Sequence, residues 1–109
     1  MTISNGSDCP VELPDVLAGI QCAVTRCDLQ GRREYLPRET FTLQEALDSF
    51  TKDSARASFE EQTKGQILPG MLADFVVLGQ NPFETESSKL KDIPVLATYL
   101  AGHKVYEYK

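Results

Sequence analysis

The hydrophobic pattern of this chain changes within residues 64–78, KGQILPGMLADFVVL. Before this stretch, apolar residues recur every three or four positions, which is the period of an amphipathic helix. Within it, the turn signal Pro69-Gly70 precedes the apolar run FVVL, which is typical of a mostly buried strand. Helices followed by strands indicate an α+β fold. We therefore divide the chain into a helical part, residues 1–64, and a small β part, residues 65–109.

Three helices are predicted in the helical part. Pro14 is expected to open the first helix, and Leu17, Ile20, Val24 and Cys27 form its apolar face at spacings of three and four. The second begins at Thr42, because Thr42 and Glu45 have the spacing of a capping box. The third is short, and Asp53 or Ser54 is its expected N-cap.

Three or four strands are predicted, and they form a small antiparallel sheet. Two of them are residues 74–78 and 95–100, and the turn Ala101-Gly102-His103 leads into a returning strand around Val105. The stretch Thr2 to Asn5 could be the end of another strand. A short turn of helix is expected at Ser87 to Lys91.

Composition limits the partners and the compartment. The 109 residues carry a net charge of −5, which argues against nucleic acid as a partner. No apolar run reaches the roughly 20 residues that span a bilayer, so no membrane partner is expected. The first residues lack the basic and apolar regions of a signal peptide. Cys9, Cys22 and Cys27 match no zinc or redox spacing, so we expect reduced thiols in a cytoplasmic protein.

Side chains that could carry chemistry are few. His103 is the one histidine, and a histidine in a predicted hairpin turn is usually solvated. Asp74 is expected to bond the turn backbone rather than a metal. Asp8 follows a possible strand end, where barrel enzymes place catalytic groups, but the residues alone favour a turn or capping role. Glu12 is a weaker candidate. With these residues the chain cannot assemble a usual zinc site from its own ligands.

Several motifs, taken in order, resemble the family-3 amidohydrolases, the YtcJ-like branch of the amidohydrolase superfamily. Residues 6–12, GSDCPVE, are similar to the strand-eight motif of that branch, and residues 23–26 to the helix that follows it. Residues 41–47, FTLQEAL, resemble a later helix of the same branch. Residues 57–78 are similar to the region where such chains re-enter their small β domain, and residues 91–93 to the end of those proteins. The resemblance covers essentially the whole chain.

The resemblance implies a barrel enzyme that hydrolyses non-peptide carbon–nitrogen bonds with zinc or another divalent metal, which activates a water. Residues 1–64 would be the helical remnant of the C-terminal end of a (β/α)8 barrel. Residues 65–109 would be the C-terminal half of a composite β-sandwich. Asp8 alone matches a family site residue, the strand-eight aspartate that ligates the metal and shuttles a proton. The remaining ligands have no counterpart here, so no cofactor is expected in the isolated chain.

Two functions stay open. The first is the C-terminal part of a metal-dependent amidohydrolase, inactive unless an N-terminal partner segment supplies the missing ligands. The alternative is a self-standing, non-catalytic binding or structural small protein derived from such an enzyme. In the isolated chain, the strands Phe75 to Leu78 and Val95 to Leu100 are expected to present unpaired edges, which favours a homo-oligomer.

Overall fold

The computed structural model describes residues 2–109, and its α-helices precede a single antiparallel sheet. The α-helices are α1 (Val16–Thr25), α2 (Leu43–Phe50) and α3 (Lys52–Ala57), and the strands are β1 (Phe75–Leu78), β2 (Val95–Leu100) and β3 (His103–Glu107). Short 3₁₀ helices lie at Pro37–Glu39, Pro82–Glu84 and Ser87–Asp92. The predicted α+β class, with a small antiparallel sheet after the helices, is confirmed.

Helix α1 begins after an aspartate cap. The Asp15 carboxylate accepts a hydrogen bond from the Ala18 backbone N–H at 3.0 Å, so Pro14 lies just outside the cap rather than in the first turn. The helix ends at Thr25, and its C-cap Arg26 donates a last helical hydrogen bond to the Cys22 carbonyl before its left-handed backbone (φ 54°) turns the chain away. Cys27, which the spacing placed on the helix face, therefore lies beyond the helix.

Helix α2 begins with the predicted capping box. The Thr42 hydroxyl accepts from the Glu45 N–H at 3.2 Å, and the Glu45 carboxylate accepts from the Thr42 N–H at 2.8 Å. The expected cap of α3 at Asp53 or Ser54 is wrong. That helix begins at Lys52, directly after the bend at Thr51, and the Ser54 hydroxyl donates to the Ser49 carbonyl at 2.7 Å instead.

The core joins α1 and α2 to the 3₁₀ helix before β2. Its buried members are Ile20, Ala46, Leu90 and Ile93. The buried Gln21 side chain reinforces this packing, since its Oε1 accepts from the Lys91 backbone N–H at 3.0 Å. Such a bond stabilises the fold mainly because a buried N–H left without a partner costs about 1–3 kcal/mol.

The sheet has the order β1-β2-β3. Phe75 pairs with Tyr99 across β1 and β2, and their rings stack with centroids 4.6 Å apart. Ala101 and Gly102 join β2 to β3 with positive φ angles of 49° and 79°, the conformation that two-residue hairpins favour. Because β2 is the central strand, the expectation that Val95–Leu100 presents an unpaired edge is wrong. The edges belong to β1 and β3.

The segment before Asp8 is bound to a helix rather than to a strand. Asn5 donates its backbone N–H to the Ser49 carbonyl at 3.0 Å and its side-chain amide to the Ser49 hydroxyl at 3.1 Å. The strand end expected at Thr2 to Asn5 is therefore wrong, because the end of α2 takes the hydrogen bond that a neighbouring strand would have taken. Among residues 2–109, no helix is long and apolar enough to cross a membrane.

Candidate functional site

Asp8 lies at the head of a turn that leads towards α1. Its backbone is left-handed (φ 59°), a conformation that aspartate tolerates better than most residues. Its carbonyl accepts the Val11 N–H at 2.9 Å, and the Ser7 hydroxyl accepts the Cys9 N–H at 3.3 Å. The Asp8 side chain is exposed, and within residues 2–109 its carboxylate makes no hydrogen bond or ion pair. The turn therefore engages the backbone of Asp8 and leaves its carboxylate open to another group.

The acids nearest to Asp8 in the sequence offer it little support. Asp15 is occupied as the α1 cap, and Glu12 is exposed. Both line a cavity of about 430 Å³ that the half-buried Cys22 also borders. Burial, and then the nearby Asp28 and Cys27, raise the pKa of the Cys22 thiol. A thiol with a raised pKa is a poorer nucleophile and a poorer metal ligand, so Cys22 is not an activated cysteine.

The other candidates lie in a different part of the fold, around the β2–β3 hairpin. The Asp74 carboxylate accepts the Ala101 backbone N–H at 2.7 Å, which confirms its expected turn role. His103 is exposed and is the first residue of β3. No group of three or more His, Cys, Asp or Glu side chains within the described chain could hold a metal ion. Because a zinc site needs about four ligands, these residues do not fit a metal centre by themselves.

The sequence analysis did not predict two buried polar groups, the Gln21 side chain and a carboxylate oxygen of Glu61. Gln21 reaches Lys91 across 70 positions of the chain, and Glu61 has a buried carboxylate oxygen, Oε2, without a hydrogen-bond partner in the described residues. A single glutamine on a helix, or a glutamate beside others, has no pattern that predicts burial.

The family of the chain follows from comparison with known proteins. A model of the amidohydrolase family matches residues 1–106. The chain belongs to the amidohydrolase family. This confirms the resemblance that the ordered motifs indicated.

Three curated relatives show what fraction of a family member's length this amidohydrolase-family chain covers. It is 36% identical over 106 residues to YtcJ of Bacillus subtilis (strain 168), which is named as an amidohydrolase, and 39% identical over 101 residues to LONG AFTER FAR-RED 3 of Arabidopsis thaliana. It is 35% identical over 71 residues to an N-substituted formamide deformylase of Arthrobacter pascens.

These matches cover 95%, 93% and 65% of the chain but 20%, 17% and 13% of the respective relatives. The chain thus spans a fifth or less of the length of the curated relatives it matches. No solved structure matches it significantly.

Proposed function

We propose that this chain is the C-terminal part of a metal-dependent amidohydrolase that hydrolyses non-peptide carbon–nitrogen bonds, and that it is inactive in isolation. The reaction adds water across the bond, so that the carbon gains the oxygen and the nitrogen leaves as an amine after it receives a proton. The observation that carries the proposal is the family match over residues 1–106. Because the relatives are about five times as long, the chain corresponds to only one part of such an enzyme.

The donor set supports inactivity in isolation. A hydrolytic metal site needs several ligands and an open position for water. At the family site position this chain offers one carboxylate, that of Asp8, and residues 2–109 contain no group of three or more side chains that could hold a metal ion. We therefore propose that the other ligands come from a preceding segment of the enzyme and that Asp8 completes their site.

The proposed role of Asp8 is to complete the metal site and to move a proton during hydrolysis. Its exposed carboxylate is consistent with this, because a group that already served as a cap or in an ion pair would have to be released first. Asp15 and Asp74 are engaged in that way, each as the acceptor of a backbone N–H.

Complementation tests the proposal. The chain would be co-expressed with Bacillus subtilis YtcJ lacking the region that this chain matches. Hydrolysis of a panel of N-substituted amides and formamides would then be measured, together with bound metal. The formamides are included because one relative is named for that substrate class. We expect no hydrolysis by the chain alone and metal-dependent hydrolysis by the co-purified pair.

Asp8→Asn in the pair should lower the rate by roughly 10²–10⁴-fold, as expected for a lost proton-transfer group. Glu12→Gln is the matched control, since Glu12 is a neighbouring exposed acid, and it should leave the rate unchanged. Hydrolysis by the chain alone would contradict its inactivity. A stable but inactive pair, or no pair at all, would favour a non-catalytic binding role.

A further inference from the structure

Phe59 combines an exposed aromatic side chain with a left-handed backbone. Its φ angle is 61°, and at 92% exposure no other large apolar residue within 2–109 is as open to solvent. Glycine usually takes this conformation, because a Cβ atom crowds the following carbonyl oxygen, and a bulky residue there is an outlier. Neither burial of the ring nor an easy backbone therefore accounts for phenylalanine at this position.

The backbone conformation of Phe59 comes from the end of α3. The Phe59 N–H donates to the Arg56 carbonyl at 3.0 Å, and the Glu60 N–H donates to the Ala55 carbonyl at 2.8 Å. These are the two hydrogen bonds of a Schellman motif, which closes a helix at a left-handed residue that is usually glycine. Both bonds are made by backbone groups, so the motif needs the left-handed backbone at this position but not the phenyl ring.

The turn that carries the ring is held by polar side chains on its C-terminal side. The Glu60 carboxylate accepts from the Ser58 hydroxyl at 2.8 Å and forms an ion pair with Lys64 at 2.7 Å. Strained residues persist where the surrounding structure fixes them, and they cluster at functional sites. An aromatic ring on a fixed turn, beside charges that are already paired, has the features of an anchor at the centre of an interface.

We infer that Phe59 is such an anchor and that its ring inserts into an apolar pocket on the preceding segment of the same amidohydrolase. The inference rests on the proposed function, which supplies that segment. Because the chain spans a fifth or less of its curated relatives, most of the surface of such an enzyme belongs to other segments. Insertion of an aromatic side chain removes about 150–250 Å² from water, a gain that exceeds the cost of one left-handed residue.

Phe59→Gly separates the strain of the residue from its docking role. Glycine keeps the Schellman motif and relieves the backbone, so the Tm of the isolated chain should rise by about 2–6 °C. The ring is lost, so the dissociation constant of the pair with shortened YtcJ, measured by titration calorimetry, should rise by more than about tenfold. A residue with only a structural role would not move stability and affinity in opposite directions.

Ala101→Gly is the matched control. Ala101 is also left-handed, with a φ angle of 49°, but its side chain is a single methyl group. Its replacement should likewise raise the Tm, and it should leave the dissociation constant of the pair unchanged within about twofold, since no large side chain is removed.

A label at position 59 reports the contact directly. The sequence contains no tryptophan, so Phe59→Trp can carry a single fluorotryptophan. Its fluorine NMR signal should shift when unlabelled, shortened YtcJ is added and should stay in place when the labelled chain alone is concentrated. A shift on concentration alone would assign the contact to a second copy of the chain and overturn the inference.

The remaining outcomes distinguish the anchor from the enzymatic role. A pair that hydrolyses its substrate but binds Phe59→Gly as tightly as the unmodified chain would overturn the anchor and leave the proposed function standing. A pair that depends on Phe59 but hydrolyses nothing would support the anchor and count against the enzymatic role. If the unmodified chain forms no pair, both are contradicted.

Discussion

Asp8 and Asp74 are residues of one type with different surroundings. Asp74 sits beside a hairpin turn, and its carboxylate accepts the Ala101 N–H at 2.7 Å. Asp8 is exposed, and the turn uses its carbonyl rather than its carboxylate. The sequence predicted that Asp74 bonds a turn backbone, but the turn that it bonds lies 27 positions along the chain, and only the fold brings the two together. The ligand role of Asp8 stays a prediction, because it depends on groups that other segments would bring.

Asp8→Asn should therefore change the free energy of unfolding of the isolated chain by less than about 0.5 kcal/mol. The exposed carboxylate has no partner to lose among residues 2–109, and asparagine also tolerates the left-handed backbone. Urea denaturation measures the change. Asp74→Ala is the comparison, and it should cost about 1 kcal/mol because the Ala101 N–H loses its acceptor. A cost of several kcal/mol for Asp8→Asn would show that Asp8 is structural.

At the scale of elements, the first turn of α2 is determined locally, whereas the start of α3 is not. The Thr42–Glu45 capping box joins residues three positions apart, so its spacing identified it. Helix α3 follows α2 after a single bend at Thr51, and the Ser54 hydroxyl is taken by the carbonyl of Ser49. Ser54, which the sequence suggested as the N-cap of α3, therefore hydrogen-bonds to α2 instead.

Thr42→Ala should destabilise the fold by about 1 kcal/mol, because one orphan N–H at the start of α2 loses its acceptor. Thermal or urea denaturation measures the loss. Thr40→Ala is the matched control, since Thr40 is exposed and its side chain makes no hydrogen bond in the described part of the chain. Equal effects of the two substitutions would contradict a capping role.

The same capping box predicts a pH dependence. The backbone N–H and then the hydroxyl of Thr42 hold the pKa of Glu45 below its ordinary value. A carboxyl whose pKa is lower in the folded state contributes stability above its unfolded pKa and loses it as the pH falls through the folded pKa. The stability difference between the unmodified chain and Glu45→Gln should therefore shrink on acidification through and below the ordinary glutamate range. A difference that is independent of pH would contradict this.

At the scale of the whole molecule, the packed core contains residues from both predicted parts of the chain. Ile20 and Ala46 come from the helical part, and Leu90 and Ile93 from the β part. Apolar side chains nevertheless remain exposed beyond this core, among them Leu13, Phe59 and Ile67 at 82%, 92% and 81%. Such surface usually marks an interface, which fits a chain that spans a fifth or less of its relatives.

The isolated chain should hold no stoichiometric zinc after dialysis. The described residues contain no group of three or more side chains that could bind a metal, and about four ligands are needed. Elemental analysis of the dialysed protein is the measurement, and the pair with shortened YtcJ serves as the positive comparison. Close to one zinc per chain in the isolated protein would contradict the prediction.

The sequence by itself determined the α+β class, the family and most elements, including the capping box at Thr42 and the turn at Ala101-Gly102. The capping box and the turn depend on neighbours within a few positions, so spacing and turn chemistry were sufficient to predict them. The tertiary structure decided that β2 is central, that Asn5 bonds α2 rather than a strand, and that Gln21 reaches Lys91. Those contacts join residues far apart in the chain, where pairing depends on which surfaces the packed core brings together. For that reason the sequence predicted an open edge at both β1 and β2, and only the folded molecule shows that β2 is paired on both sides.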